Sequence, residues 1–284
     1  MERFPIGIFD SGYGGLTILK ALEQAFPQYD FVYLGDNARA PYGPRSFETI
    51  YKFTSEGVAF LLKEKRCRLI ILACNTASAH ALRQMQQTVF LPWAEEGYRV
   101  LGVIRPTIES LSPFSRTKHI GLLATSGTVA SETYLREGEE YAPNLTIVQQ
   151  ACPMLVPLIE SGECGSEGTR FFVKTYLEEL LSKDVEIDTI LLACTHYPLI
   201  KDLIAEFAPS RITILPQGDI IVDSLRSYLL RHPEMEQLLS KGGQHLFFTT
   251  EESHAFEESA RRFVGRDISA TTVNIAGMTL DKDF

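Results

Sequence analysis

Basic residues are in short supply in this chain. Lys and Arg together number 27 against 36 Asp and Glu, a formal net charge of −9 and a pI near 5.3. The basic residues are scattered and form no run, so the electrostatic footprint of a nucleic-acid binder is missing. Long apolar runs are missing too. No stretch approaches the roughly 18 residues that cross a bilayer, which speaks against a membrane protein. The opening segment MERFPIGIFDSG has no charged-then-apolar leader pattern, and a cytoplasmic location is the expectation. Cysteine is sparse. Cys67, Cys74, Cys152, Cys164 and Cys194 make an odd count of five with no C-x-x-C pair, so reduced thiols are expected rather than a disulfide framework. Low-complexity tracts and long linkers are also absent.

What remains is an ordinary globular composition. Hydrophobic residues make up 45% and charged residues 22% of 284 positions, enough for one large or two medium domains with a sizeable core. Short apolar runs at 6–9, 31–34, 69–73, 100–104, 120–123, 145–149, 189–193 and 212–215 read as strands. Their apolar character is continuous rather than alternating, which suits strands covered on both faces. Helical patterns lie between them, as in Leu16, Leu19, Leu22 and Phe26, or Ile50, Phe53, Phe60 and Leu61. Strand–helix alternation of this kind predicts an α/β fold with mainly parallel sheets flanked by helices. In the remaining segment, 220–230 reads as a helix, HLFFTT (245–250) as a strand, and Phe256, Ala260 and Phe263 mark a further helix. This tail is expected to pack back on the first half, with the last dozen residues loose.

The chain also repeats itself. IGIFDSG (6–12) resembles IGLLATSG (120–127), the segment 31–43 lines up with 145–153, ILACNT matches LLACTH, and GVIRP (102–106) faintly matches ILPQG (214–218). Four matches in one order predict two similar four-stranded halves. The expected division is 1–104 with 219–284 as a discontinuous first domain and 105–218 as the second. In open α/β sheets, ligands bind beyond the carboxyl ends of the strands. Asp10-Ser11-Gly12, Gly35-Asp36-Asn37, Cys74-Asn75-Thr76, Thr125–Thr128 and Cys194-Thr195-His196 all fall there. Two halves facing each other would enclose these edges in one cleft.

Cys74 and Cys194 carry the chemistry in this reading. Each closes an apolar strand and is followed at once by hydrogen-bonding residues. An apolar-flanked cysteine is commonly inert core, but polar donors and a helix N-terminus, here the helical pattern from Asn75 onward, favour the reactive thiolate. Cys74, Cys194 and His196 match no ordinary zinc spacing, so no metal is expected. Asp10 and His196 are the natural proton partners of the two thiols. Alternatively, Asp10 caps the helix that follows it, and His196 is a satisfied buried histidine. The run from Asp10 to Leu16 is glycine-rich but fails the dinucleotide fingerprint, because Thr17 stands at its last glycine position, and no G-K-[ST] follows. It reads as a tight turn open to a small anion. In the loop GDNARAPYG (35–43), the backbone N–H groups of Tyr42 and Gly43 are candidates to grip a carboxylate, with an ordinary βα loop as the alternative. Glu160 follows two prolines and either points into the cleft or lies on the surface.

Taken together, GIFDSGYGGLT, LGDNARAPYG, ILACNTASA, GLLATSGTVASETY, ACPMLVPLIESGE and DTILLACTHYPLI closely resemble the glutamate racemases of the aspartate/glutamate racemase family. The tail FFTTEESHAFEESARRFVG is similar to the family's closing strand and helix. The resemblance implies two pseudo-symmetric α/β domains with the active site in the inter-domain cleft. It implies a cofactor-independent enzyme, commonly a homodimer, that interconverts L- and D-glutamate and supplies D-glutamate for peptidoglycan. By the same match, Cys74 takes the α-proton from the D-enantiomer and Cys194 from the L-enantiomer. Asp10 assists the first thiol, and His196 and Glu160 assist the second. Substrate contacts carry over to Asp10, Ser11, Tyr42, Gly43, Asn75, Thr76, Thr195 and His196. There are departures from the pattern. Ala193 replaces a usual Gly, Arg105-Pro106-Thr107 replaces a Pro-Gly run, and GDIIVDS follows the last strand of the second half. These bear on the hinge and the dimer surface rather than on the chemistry.

The physics agrees with a two-base reaction. An amino acid's α-proton is weakly acidic, and without a cofactor sink the carbanion needs a water-poor cleft of aimed donors. Racemisation needs a base on one face and an acid on the other. Other readings are an aspartate or other amino-acid racemase, a cysteine hydrolase built on Cys194 and His196, and a non-catalytic amino-acid-binding protein.

Overall fold

The computed structural model describes residues 2–280. Its strands are β1 (Ile6–Asp10), β2 (Phe31–Gly35), β3 (Leu69–Leu72), β4 (Arg99–Gly102), β5 (His119–Ala124), β6 (Thr146–Ala151), β7 (Thr189–Ala193), β8 (Thr213–Leu215), β9 (His245–Thr249) and β10 (Ala270–Thr272). They form a six-stranded sheet in the order β10-β9-β2-β1-β3-β4 and a four-stranded sheet in the order β6-β5-β7-β8. All pairings are parallel. The order β2-β1-β3-β4 in the first sheet and β6-β5-β7-β8 in the second is one topology used twice, as the sequence repeat predicts.

The helices are α1 (Leu16–Ala25), α2 (Phe47–Lys63), α3 (Asn75–Met85), α4 (Leu91–Trp93), α5 (Ile104–Leu111), α6 (Ser126–Ala130), α7 (Thr133–Tyr141), α8 (Leu155–Glu160), α9 (Glu167–Lys183), α10 (Lys201–Phe207), α11 (Gly218–Arg231), α12 (Pro233–Leu238) and α13 (Ser253–Val264). Parallel neighbours need crossovers, and the helices supply them while covering the sheet faces. Hence the central strands β1, β3 and β7 are buried at every residue. Each fully buried Ile, Leu or Phe stabilises by roughly 1.5–3 kcal/mol. The two long crossover helices begin with serine caps. Ser46 Oγ accepts from Thr49 N, and Ser166 Oγ accepts from Thr169 N, both at 3.3 Å. Among the described residues no helix is long and apolar enough to cross a membrane.

The structure departs from the sequence reading in a few places. The run at 100–104 stops as a strand at Gly102, and α5 begins at Ile104. Pro106 then falls in the first helical turn, where its missing N–H costs nothing. After α3 the chain continues through a π-helical turn, Gln86–Phe90. β10 is three residues long, and two of them are exposed, so no apolar run announces it. The tail does rejoin the first half, through β9 pairing with β2. Residues 273–280, expected to be loose, are tied down. Ile275 is buried in the core beside Met278 and Leu280, and Gly277 N donates to Glu56 Oε1 at 2.9 Å. The rest of the last dozen, 281–284, lies outside the described residues.

Candidate active site

Strand register brings the polar motifs to one edge. Ser11 follows β1, Tyr42 and Gly43 follow β2, and Cys74, Asn75 and Thr76 follow β3. From the second sheet, Thr125 and Ser126 follow β5, Cys152 and Pro153 follow β6, and Cys194, Thr195 and His196 follow β7. Together with Glu160 they line a single cavity of about 140 Å³. Both cysteines therefore reach one cavity from equivalent strand ends.

Cys74 stands at the N-terminus of α3, where its Sγ accepts from Ala77 N at 3.4 Å. Ser11 Oγ lies 3.3 Å from the same sulfur. Burial pushes the Cys74 thiol up to about 12, and the charge of Asp10 adds to this, while the Ser11 and Ala77 hydrogen bonds pull against it.

Cys194 has different neighbours. Its Sγ lies 3.8 Å from His196 Nδ1, and His196 Nε2 lies 2.8 Å from Glu160 Oε1. Burial works against charging His196. The hydrogen bonds and charges of Cys194 and Glu160 overcome it and raise the imidazole to about 10. An imidazolium thus sits between a carboxylate and the second thiol. Phe263 of α13 meets the His196 ring edge-to-face, with centroids 5.5 Å apart. Arg262 donates to the Glu160 backbone carbonyl at 2.9 Å. Gly14 lets the β1–α1 turn pass close to this group. A Cβ there would overlap Thr195 Oγ1 and lie 2.5 Å from His196 Nδ1.

Asp10 lies beneath the cavity and is fully buried. Burial raises its carboxyl above the usual range, against the pull of His196. The backbone N–H groups of Gly12 and Gly15, the latter at the start of α1, support the carboxylate. Its Oδ1 accepts from Gly12 N at 2.9 Å, and its Oδ2 accepts from Thr195 Oγ1 at 3.4 Å. The side-chain contact to Cys74 comes from Ser11 instead.

The remaining predicted contacts sort by what they are already bonded to. The Tyr42 hydroxyl donates to Asp36 Oδ2, a buried carboxylate also held by Arg39 Nε and Thr250 Oγ1. Tyr42 therefore anchors its loop, with the hydroxyl already committed. Gly43 faces Thr125. Thr76 Oγ1 meets Thr125 Oγ1 at 2.9 Å and Thr128 Oγ1 at 3.3 Å, joining α3 to the β5–α6 turn. The Asn75 amide is bonded to Gln217 and Tyr134. Thr125 and Ser126, placed at the cleft edge by the sequence but given no role, line the cavity too, and so do Cys152, Val156 and Pro157, which escaped the sequence-derived site. TSG at 125–127 repeats DSG at 10–12, which is why Thr125 and Ser126 fall opposite Ser11.

A profile described as Asp/Glu/Hydantoin racemase matches residues 14–224. The chain is 37% identical over 274 residues to the glutamate racemase of Sulfurihydrogenibium sp. (strain YO3AOP1), covering 96% of this chain and 98% of that one. It is 39% identical to the glutamate racemase of Ruegeria sp. (strain TM1040), covering 93% and 98%. Among solved structures, a glutamate racemase isoform of Bacillus anthracis superposes with a TM-score of 0.86 at 32% identity, covering 96% and 98%. The glutamate racemase of Francisella tularensis in complex with D-glutamate superposes with a TM-score of 0.84 at 30% identity, covering 97% and 99%.

Proposed function

This chain belongs to the Asp/Glu/hydantoin racemase family, and we propose that it is a glutamate racemase working through two opposed thiols. The observation that carries the reading is the cavity itself, where Cys74 and Cys194 meet from equivalent strand ends. Each has its own helpers, Ser11 and a helix N-terminus for one, His196 and Glu160 for the other.

With L-glutamate, Cys194 as thiolate takes the α-proton, and the Cys74 thiol delivers its proton to the opposite face. With D-glutamate the roles reverse. In the L-direction Cys74 is the proton donor, its thiol pushed up by burial, and His196, raised to about 10, stands 3.8 Å from the Cys194 sulfur. After one turnover the protons have exchanged sulfurs, and Glu160–His196 provides a route for resetting Cys194. Asp10 steadies Thr195 and the first turn. Ser11, the Tyr42–Gly43 backbone, Asn75, Thr76 and Thr195 hold the substrate's polar groups. Of these, the donors beside the two thiols, Ser11 and Thr195, stabilise the carbanion electrostatically, so that no cofactor is needed. The glutamate racemase of Francisella tularensis, which covers nearly the whole of this chain, was solved with D-glutamate, and this supports the substrate assignment. We further read residues 1–104 with 219–284 as one domain and 105–218 as the other. The enzyme works in the cytoplasm as a homodimer, and its D-glutamate serves peptidoglycan.

The test uses purified protein in D2O with each glutamate enantiomer and no added cofactor. Deuterium enters Cα and both directions proceed, while Cys74→Ala and Cys194→Ala each abolish inversion. Full inversion in either variant would overturn the two-thiol mechanism. Faster turnover of aspartate in parallel would overturn the substrate assignment.

A further inference from the structure

Asn75 follows Cys74 directly and lines the cavity, yet its amide is tied to residues far along the chain. Its Nδ2 donates to Gln217 Oε1 at 2.6 Å, and its Oδ1 accepts from the Tyr134 hydroxyl at 2.7 Å. Gln217 Nε2 donates to Tyr134 Oη and to Thr107 Oγ1, both at 2.9 Å. Thr107 donates its own hydroxyl hydrogen to the Val103 carbonyl at 2.6 Å. Asn75, Thr107, Tyr134 and Gln217 are all buried, where an unmade hydrogen bond is costly.

The sequence of donors and acceptors admits one arrangement. A carbonyl only accepts, so the single hydrogen of Thr107 is committed to Val103, and its oxygen faces Gln217 as an acceptor. Gln217 must therefore turn its NH2 toward Thr107 and Tyr134. Its oxygen then faces Asn75 and can only accept. Asn75 must present nitrogen to Gln217 and oxygen to Tyr134, whose hydrogen remains available to donate. Flipping Asn75 would set oxygen against oxygen. One Nδ2 hydrogen of Asn75 is left outside the network.

We propose that Thr107, Tyr134 and Gln217 are positioning residues that hold Asn75 as a hydrogen-bond donor to the substrate, so that this part of the cavity takes a carboxylate. Thr107 belongs to α5, where the chain leaves the six-stranded sheet. Gln217 immediately precedes α11, on the path by which the chain returns to it. Both crossings thus converge on one cavity residue. The proposal rests on the glutamate reading above.

Steady-state kinetics in both directions test it. Thr107→Val and Gln217→Met raise KM for both enantiomers by roughly tenfold, the loss expected for one hydrogen bond to a charged group. kcat changes little, because binding is lost equally in ground and transition states. Thr107→Ser keeps the hydroxyl and restores the wild-type KM. The Gln217→Met effect vanishes in an Asn75→Ala background, since residues acting through one another are not additive. An unchanged KM in both Thr107→Val and Gln217→Met overturns the proposal. So does a Gln217→Met effect that persists undiminished without Asn75, or a kcat loss with KM unchanged. If Gln217→Met does not fold, the Thr107→Val and Thr107→Ser pair decides. A wild-type protein that does not racemise glutamate overturns the functional reading and this proposal with it. A racemising wild type beside unaffected variants overturns this proposal alone.

Discussion

Gly14→Ala is a one-carbon change that acts on only one of the two thiols. The added Cβ would overlap Thr195 Oγ1 and stand 2.5 Å from His196 Nδ1 and 2.7 Å from its Cε1, where ordinary contact begins at 3.4 Å. Thr195 and His196 must retreat by about 1 Å or the β1–α1 turn must shift, and displacement of that size can cost about 10²-fold in rate. His196 is the residue that links Glu160 to Cys194, so the damage falls on the Cys194 side. Cys74 is held by Ser11 and Ala77, and its sulfur is not among the three atoms nearest the new methyl. Overpacking of this kind also costs about 1–3 kcal/mol of stability, which thermal melting reads separately. The assay follows D-glutamate in D2O by NMR and by chiral analysis. Inversion slows by about 10²-fold, while Cys74 still exchanges the α-hydrogen of D-glutamate with retention. Inversion at the wild-type rate would refute the steric reasoning. Equal loss of exchange and inversion in a folded variant would refute its confinement to one thiol.

Other consequences follow from charge. The proton on His196 contributes stability that is fully present below its ordinary value of 6.5 and is lost as pH rises through about 10. L-to-D turnover therefore falls off on the alkaline side. Glu160→Gln removes the partner carboxylate and moves that limb down by roughly 1–2 pH units, while an unmoved limb in the pH–rate profile would argue against the relay. Away from the site, Asp188 is buried and accepts from Ser115 Oγ at 2.6 Å and from the backbone N–H groups of Arg116 and Thr117 at 2.8 and 3.0 Å. Burial opposes its charge, but these bonds prevail and lower its carboxyl from 3.8 to about 2. The stability it adds is present above pH ~4 and is lost as pH falls through about 2. Asp188→Asn costs about 1.5–3 kcal/mol in chemical denaturation with KM unchanged.

Much of the fold was legible because parallel strands covered on both faces leave a plain trace. The runs around Ile8, Ile71 and Leu191 have no polar interruption, and their strand ends are marked by Asp10, Cys74 and Cys194. β10 was illegible because a short, mostly exposed edge strand carries no apolar pattern. The ordered tail was illegible for a related reason. Ile275 is a single apolar residue whose burial depends on a core built from distant segments. Within the site, the thiols could be read from local setting, whereas the bond from Thr195 to Asp10 across 185 residues could not. The committed hydroxyl of Tyr42 and the entry of Val156 and Pro157 into the cavity were equally unreadable.

By itself the sequence determined that two thiols stand at corresponding strand ends, because strand period and the apolar-to-polar boundary are local properties of the chain. It also determined that the two have unlike neighbours, since Asn75 and Thr76 follow one and Thr195 and His196 follow the other. Only the tertiary structure decided which proton partners reach which thiol. Ser11 meets Cys74 from 63 residues away, and Glu160 meets His196 from 36 residues away. Such partners are chosen by how the two sheets and their crossovers pack, and Asn75, oriented by Tyr134, Gln217 and Thr107, depends on that packing throughout.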